Sequence, residues 1–134
     1  MKIMLGYNGF TPDSNIAMTT LNHAKAFQAQ VHLVTSMQVG EDIPKTDFDD
    51  AEETLEKGKK FFLERDIDCV TTLLETGSKA GEDLVQFASE YEMDLLIIGV
   101  KNRSKLGKLI FGSTAQYVIL KASCPVLSIK DEDE

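Results

Sequence analysis

The chain has 134 residues, 43% of them hydrophobic and 27% charged, with a net charge of −8. That length suits one domain whose core needs no disulfide or metal staple. The acidic balance argues against nucleic acid as a general partner, and no apolar run is long enough to span a membrane.

Taken in order, "KIMLGYN" reads as a buried strand over 2–7 that ends in the turn signal "NGFTPDSN". Ile16, Ala17, Leu21, Ala24 and Phe27 then follow helical spacing, with Asp13 or Ser14 as the N-cap. A second strand is expected over 31–37. The loop "VGEDIPKTDF" leads to a long charged helix from Phe48 to Arg65. "IDCVTTLLET" gives a third strand before Gly77. "SKAGEDLVQFASEYE" gives a third helix, with Leu84, Val85, Phe87, Ala88 and Tyr91 on its buried side. "MDLLIIGV" is a continuous apolar run, the pattern of a central strand covered on both faces. "STAQYVILKAS" reads as a fourth helix and "CPVLSIK" as a fifth strand. The final "DEDE" reads as a solvated acidic tail over 131–134, leaving 1–130 as the domain. Strict alternation of strand and helix predicts an α/β fold, an open parallel sheet with helices on both faces and right-handed crossovers.

Cys69 and Cys124 lie in apolar contexts and form no C-x-x-C pair. They read as two buried thiols of a reducing, cytoplasmic compartment. "MKIML" turns polar too soon for a secretory signal. His23 falls on a predicted helix and His32 within strand two, and neither has the neighbours of a catalytic triad. No Walker-type motif, paired-carboxylate site or metal-ligand spacing is present. Enzymatic chemistry is therefore hard to find in the sequence, and no catalytic or metal-binding residue is assigned.

The charge distribution is uneven. Residues 95–130 hold Lys101, Arg103, Lys105, Lys108, Lys121 and Lys130 and no acid, so this segment is +6 and the remainder −14. Within it, "GVKNRSKLGKLIFGST" leaves the carboxyl end of strand four and places Gly99 and Gly112 thirteen positions apart. Gly99 allows the backbone to turn and approach a ligand. Gly112, Ser113 and Thr114 open a helix, whose first N–H groups and partial positive charge suit phosphate. Each element taken singly has a structural explanation: a turn, a cap, a solvated loop. Together they favour an anion site beyond the carboxyl ends of the strands, where such sheets bind ligands.

These residues resemble the universal stress protein family. Its nucleotide motif runs Gly, two residues, Gly, nine residues, Gly-Ser or Gly-Thr; here it reads Gly99, two residues, Asn102, nine residues, Gly112, Ser113. "DLLIIG" at 94–99, "ETGSKAGEDLVQFA" at 75–88 and the Cys-Pro-Val step at 124–126 match as well, and the likeness covers the whole chain in order. The resemblance implies a Rossmann-like five-stranded sheet of order 3-2-1-4-5 and a regulatory protein that binds ATP, with Mg²⁺ as an optional companion. It implies phosphate contacts from Gly112, Ser113 and Thr114, with Asn102 against phosphate or ribose. Tyr7, Asn8 and Gly9 would line the adenosine side, and Ser36 would add a backbone contact. Lys101 and Arg103 would supply long-range charge. It also implies a homodimer through strand five, Val126 to Lys130, with neither nucleic acid nor membrane as partner. Two positions depart from the family pattern. Asn102 replaces the second motif glycine, and Asn8 stands where ATP-binding members often carry Asp, with Asp13 a weaker candidate for that role. The alternative these departures raise is a nucleotide-free dimeric interaction protein of the same family.

Overall fold

A computed structural model describes residues 1–37, 45–101 and 112–131. The elements are β1 (Lys2–Gly6), α1 (Asn15–Phe27), β2 (Gln30–Ser36), α2 (Lys45–Leu63), β3 (Cys69–Leu74), α3 (Ala80–Glu90), β4 (Leu95–Lys101), α4 (Ser113–Lys121) and β5 (Val126–Asp131). All four strand pairings are parallel, in the order β3-β2-β1-β4-β5, as expected. The expected elements are all present, with ends shifted by at most three residues. Asp131, assigned from sequence to the tail, instead closes the β5 ladder opposite Lys101.

The sheet is covered on both faces, which is why its central strands read as unbroken apolar runs. Side chains alternate between two cores. Ile3, Leu5, Leu33 and Ile97 face α1 and α2, where they meet Leu21 and Phe62. Met4, Val34, Leu96 and Ile98 face α3 and α4, where they meet Leu84, Phe87 and Val118. On the first face Phe10, Phe61 and Phe62 pack edge-on, with ring centroids 5.0 to 6.0 Å apart.

Of the two caps the sequence offered for α1, the structure uses Ser14: its Oγ accepts from the Ala17 N–H at 3.2 Å. One local expectation is corrected. Tyr91 was placed on the buried side of α3 but is 52% exposed, because the helix ends at Glu90 and Tyr91 lies at its C-cap. Its ring keeps one apolar contact, to Phe87 at 4.5 Å between centroids.

The thiols are only partly as expected. Cys69 is buried, whereas Cys124 is partly exposed. Burial pushes the Cys69 thiol up to about 12; Lys59 pulls the other way, and Asp68 and Glu56 reinforce the rise. Since the thiolate is the reactive form, Cys69 is expected to stay unlabelled by a disulfide reagent at pH 8 in the native protein and to react fully in denaturant. Rapid native labelling at Cys69 would contradict that burial. Burial raises the Cys124 thiol in the same direction.

Candidate functional site

Chain order reverses across β1. One crossover runs outward through α1 to β2, and the return through α3 places β4 on the other side of β1. The crevice this leaves at the carboxyl ends of β1 and β4 is where open α/β sheets take ligands. Here it forms a cleft of about 490 Å³ on the α3–α4 face. Val34, Ile98 and Val100 form its floor, and Leu84 of α3 and Ala115 of α4 flank it.

The structure brings seven of the sequence-predicted residues to this cleft: Tyr7, Asn8, Ser36, Gly99, Gly112, Ser113 and Thr114. Gly9 is not part of the lining. Its φ of +103° turns the chain toward α2, and a Cβ there would lie 3.3 Å from Thr54. The Lys101 backbone lies at the end of the β4 ladder, beyond the lining. Asn102, Arg103, Lys105 and Lys108 lie outside the described residues.

The glycines differ in what they permit. A Cβ on Gly99 would meet Ile16 Cδ1 of α1 at 3.2 Å, on the opposite face of the sheet. Its missing side chain therefore makes room for α1 rather than for a ligand, which corrects the role expected for it. Gly6, which sequence reading passed over, sits in the cleft, and a Cβ there would come within 3.2 Å of Leu84 Cδ1. Gly112 is different. It has ordinary extended angles, φ −65° and ψ 161°, and a Cβ built on it would meet nothing within 4 Å. Neither backbone geometry nor packing within the described chain requires glycine there.

Gly112 is the N-cap of α4 and has no side chain with which to bond the helix amides. The first bond across the cap runs from the Gln116 N–H to the Gly112 carbonyl at 3.1 Å. Among the described residues, none accepts from the Ser113 or Thr114 amides. Both side chains are exposed at the cleft. A helix start of this kind offers oriented donors and partial positive charge to an anion.

The opposite wall carries a group the sequence reading missed. Asp83, in the first turn of α3, is 3% exposed. Its carboxylate accepts from Ser36 Oγ at 2.6 Å and from Thr76 Oγ1. It thereby ties the end of β2 and the segment after β3 to α3. The signal was present in the pattern: Asp83 lies four residues before the buried Phe87, on the apolar stripe of its helix. Ser36, expected to offer backbone, is thus engaged through its hydroxyl.

Tyr7 enters the cleft with both backbone groups satisfied. Its N–H donates to the Val34 carbonyl at 2.9 Å, and its carbonyl accepts from Thr35 Oγ1 at 2.6 Å. Its phenol reaches across to α2 and donates to the Thr54 carbonyl at 3.3 Å, and burial raises the phenol's pKa, with Cys69 adding to the rise. The histidines lie elsewhere. His23 Nδ1 is 2.8 Å from the Thr19 carbonyl, and His32 Nε2 is 2.7 Å from Gln30 Oε1. Burial lowers the His32 pKa, Lys2 lowers it further, and Asp68 opposes both.

The model of the universal stress protein family matches residues 1–130. The chain belongs to the universal stress protein family. Its similarity to curated members includes a universal stress protein of Methanocaldococcus jannaschii, 31% identical over 96% of this chain and 81% of the relative. Among solved structures, a universal stress protein from Archaeoglobus fulgidus is 32% identical, covers 97% of this chain and 98% of its own, and superposes with a TM-score of 0.87. A universal stress protein structure from the same organism, in complex with dAMP, is 26% identical over 97% of this chain and 98% of its own, with a TM-score of 0.81. The sheet order that the resemblance implied is the one observed, and the cleft lies at the switch point of that fold.

Proposed function

We propose that this universal stress protein is a regulatory, cytoplasmic protein that binds an adenine nucleotide, ATP above all, with the phosphates on the amino end of α4. The observation that carries the reading is Gly112. It lines the cleft, a Cβ on it would meet nothing within 4 Å among the described residues, and among those residues nothing accepts from the Ser113 and Thr114 amides beside it, so a phosphate oxygen has room there. The dAMP complex of the Archaeoglobus fulgidus relative supports the same ligand class. Ser113 and Thr114 add hydroxyl donors, Asn8 lines the nucleoside side, and Lys101, Asn102 and Arg103 complete the proposed set. Mg²⁺, where it accompanies ATP, is carried by the phosphates; among the described residues no group of three His, Cys, Asp or Glu side chains is placed to hold a metal.

The reading includes a homodimer paired through β5. That strand ends the sheet order with only β4 as neighbour, and pairing across a two-fold would cover its open ladder. Native mass spectrometry of freshly purified protein tests both parts. The expected result is a dimer mass with retained adenine nucleotide, and calorimetric Kd values for ATP, ADP or AMP in the micromolar range, about −8 kcal/mol at 1 μM. A ligand-free protein giving no heat with all three nucleotides would overturn the nucleotide reading, and a monomer mass would overturn the dimer.

A further inference from the structure

The two walls of the cleft have opposite hydrogen-bonding character. The α4 wall offers donors, the amides of Ser113 and Thr114. The wall at the end of β2 offers Ser36, and its hydroxyl hydrogen is already spent on Asp83 at 2.6 Å. A serine hydroxyl has one hydrogen and two lone pairs, and an ionised carboxylate only accepts. Asp83 therefore fixes the direction of the Ser36 hydroxyl and leaves it an acceptor toward the cleft.

Asp83 itself is held in place. It is 3% exposed, takes a second hydroxyl from Thr76, and sits in the first turn of α3, where the helix amides favour negative charge. Thr76 Oγ1 in turn accepts from the Ser78 N–H at 3.2 Å, which fixes its own hydroxyl toward Asp83. The chain of donors runs one way, from Ser78 through Thr76 to Asp83, and from Ser36 to Asp83. Ser36 cannot turn its hydrogen to the cleft without leaving a buried carboxylate short of a partner, a costly exchange.

Resting on the nucleotide reading above, we propose that Ser36, oriented by Asp83, is a specificity-determining residue that accepts a hydrogen bond from the exocyclic amino group of the base. With phosphates drawn to the donor wall, the nucleoside falls toward the acceptor wall. The exocyclic amine is the hydrogen-bond donor that adenine carries and that hypoxanthine replaces with a carbonyl. Asp83 acts through Ser36 as a positioning residue and does not touch the ligand.

The test compares AMP, IMP and dAMP by calorimetry on the full chain and on two variants. The parent is expected to bind AMP about 10- to 100-fold more tightly than IMP, since a carbonyl facing a fixed acceptor leaves both unpaired. Ser36→Ala is expected to weaken AMP and leave IMP nearly unchanged, closing the gap. Asp83→Asn turns the carboxylate into an amide that can donate to Ser36, freeing the serine hydrogen for the cleft. The gap then closes from the other side, by a gain for IMP. Ser36→Ala removes only a partly exposed hydroxyl, so it reports even if Asp83→Asn fails to fold. Equal parental affinity for AMP and IMP would sink this proposal while leaving nucleotide binding intact. A loss with dAMP as large as that with IMP would mean that the acceptor reads the sugar, and would also overturn it. No binding of any of the three would remove the nucleotide reading itself.

Discussion

Replacing Gly112 by serine is expected to stabilise the protein and weaken its nucleotide binding at once. The backbone at Gly112 is extended, with φ −65° and ψ 161°, so any residue can adopt it. Among the described residues a Cβ there meets nothing within 4 Å, so no overpacking against them is introduced. Serine is a better N-cap than glycine by a few tenths of a kcal/mol, because its oxygen accepts from an amide one turn into the helix. That amide is the donor a phosphate would use. Losing one charge-assisted hydrogen bond costs about 1.5–3 kcal/mol, which is roughly 10- to 150-fold in Kd. Gly112→Val goes further on the ligand side, since its branched side chain fills the approach and caps nothing. It is expected to lower stability by about 0.5–1 kcal/mol and to abolish measurable binding. Chemical denaturation and calorimetry on the same samples separate the two effects. If Gly112→Val binds AMP as the parent does, the phosphates do not sit at α4.

Most of the fold was legible because its signals are local and repeated. Five apolar runs alternating with four helical stripes leave a parallel sheet as the arrangement that buries them all, and the sheet has the order the resemblance implied. Element ends were less legible. The spacing that put Tyr91 on a buried stripe says which side of a helix is apolar, not where that side runs off the sheet. The same holds for Phe27, the last residue of α1, which is 52% exposed beside His23.

The donor half of the cleft was legible as well, since glycine followed by two hydroxyl residues before a helix is a short contiguous pattern. Its acceptor half was not. Ser36 ends β2, Thr76 lies between β3 and α3, and Asp83 is in α3, with Ser36 47 residues from Asp83, so only the fold brings Ser36 to the other two. An acid in the first turn of a helix, here next to Glu82, ordinarily needs no explanation beyond the helix dipole. Gly99 shows the converse error. It fits the family motif in register, yet the space it clears lies against Ile16, so a match in spacing did not reveal which side of the strand needed the room.

The opposite separation is expected from Phe62→Ala, a large loss of stability with little change in the cleft. Phe62 is fully buried in α2, 5.0 Å from Phe61 and 6.0 Å from Phe10 between ring centroids. It packs in the core with Ile3, Leu5, Val31 and Leu33. Removing a ring there deletes its burial and leaves a cavity that the stiff strands beneath cannot close, a cost of about 3–5 kcal/mol. Against a total of about 5–15 kcal/mol this is a large share, visible as a lower urea midpoint at unchanged slope. The cleft lies across the sheet and, Tyr7 apart, takes its buried apolar lining from the other core, so AMP affinity measured well below the midpoint is expected to change by less than about threefold. One path could couple the two faces. Phe10 belongs to the turn that carries Asn8 into the cleft, and it would lose one of three ring partners. It keeps Tyr7 at 5.2 Å and Phe61 at 5.1 Å, which is enough to hold the turn. If affinity falls in step with stability, that aromatic anchor is weaker than its geometry implies, and the turn after β1 transmits core packing to the ligand.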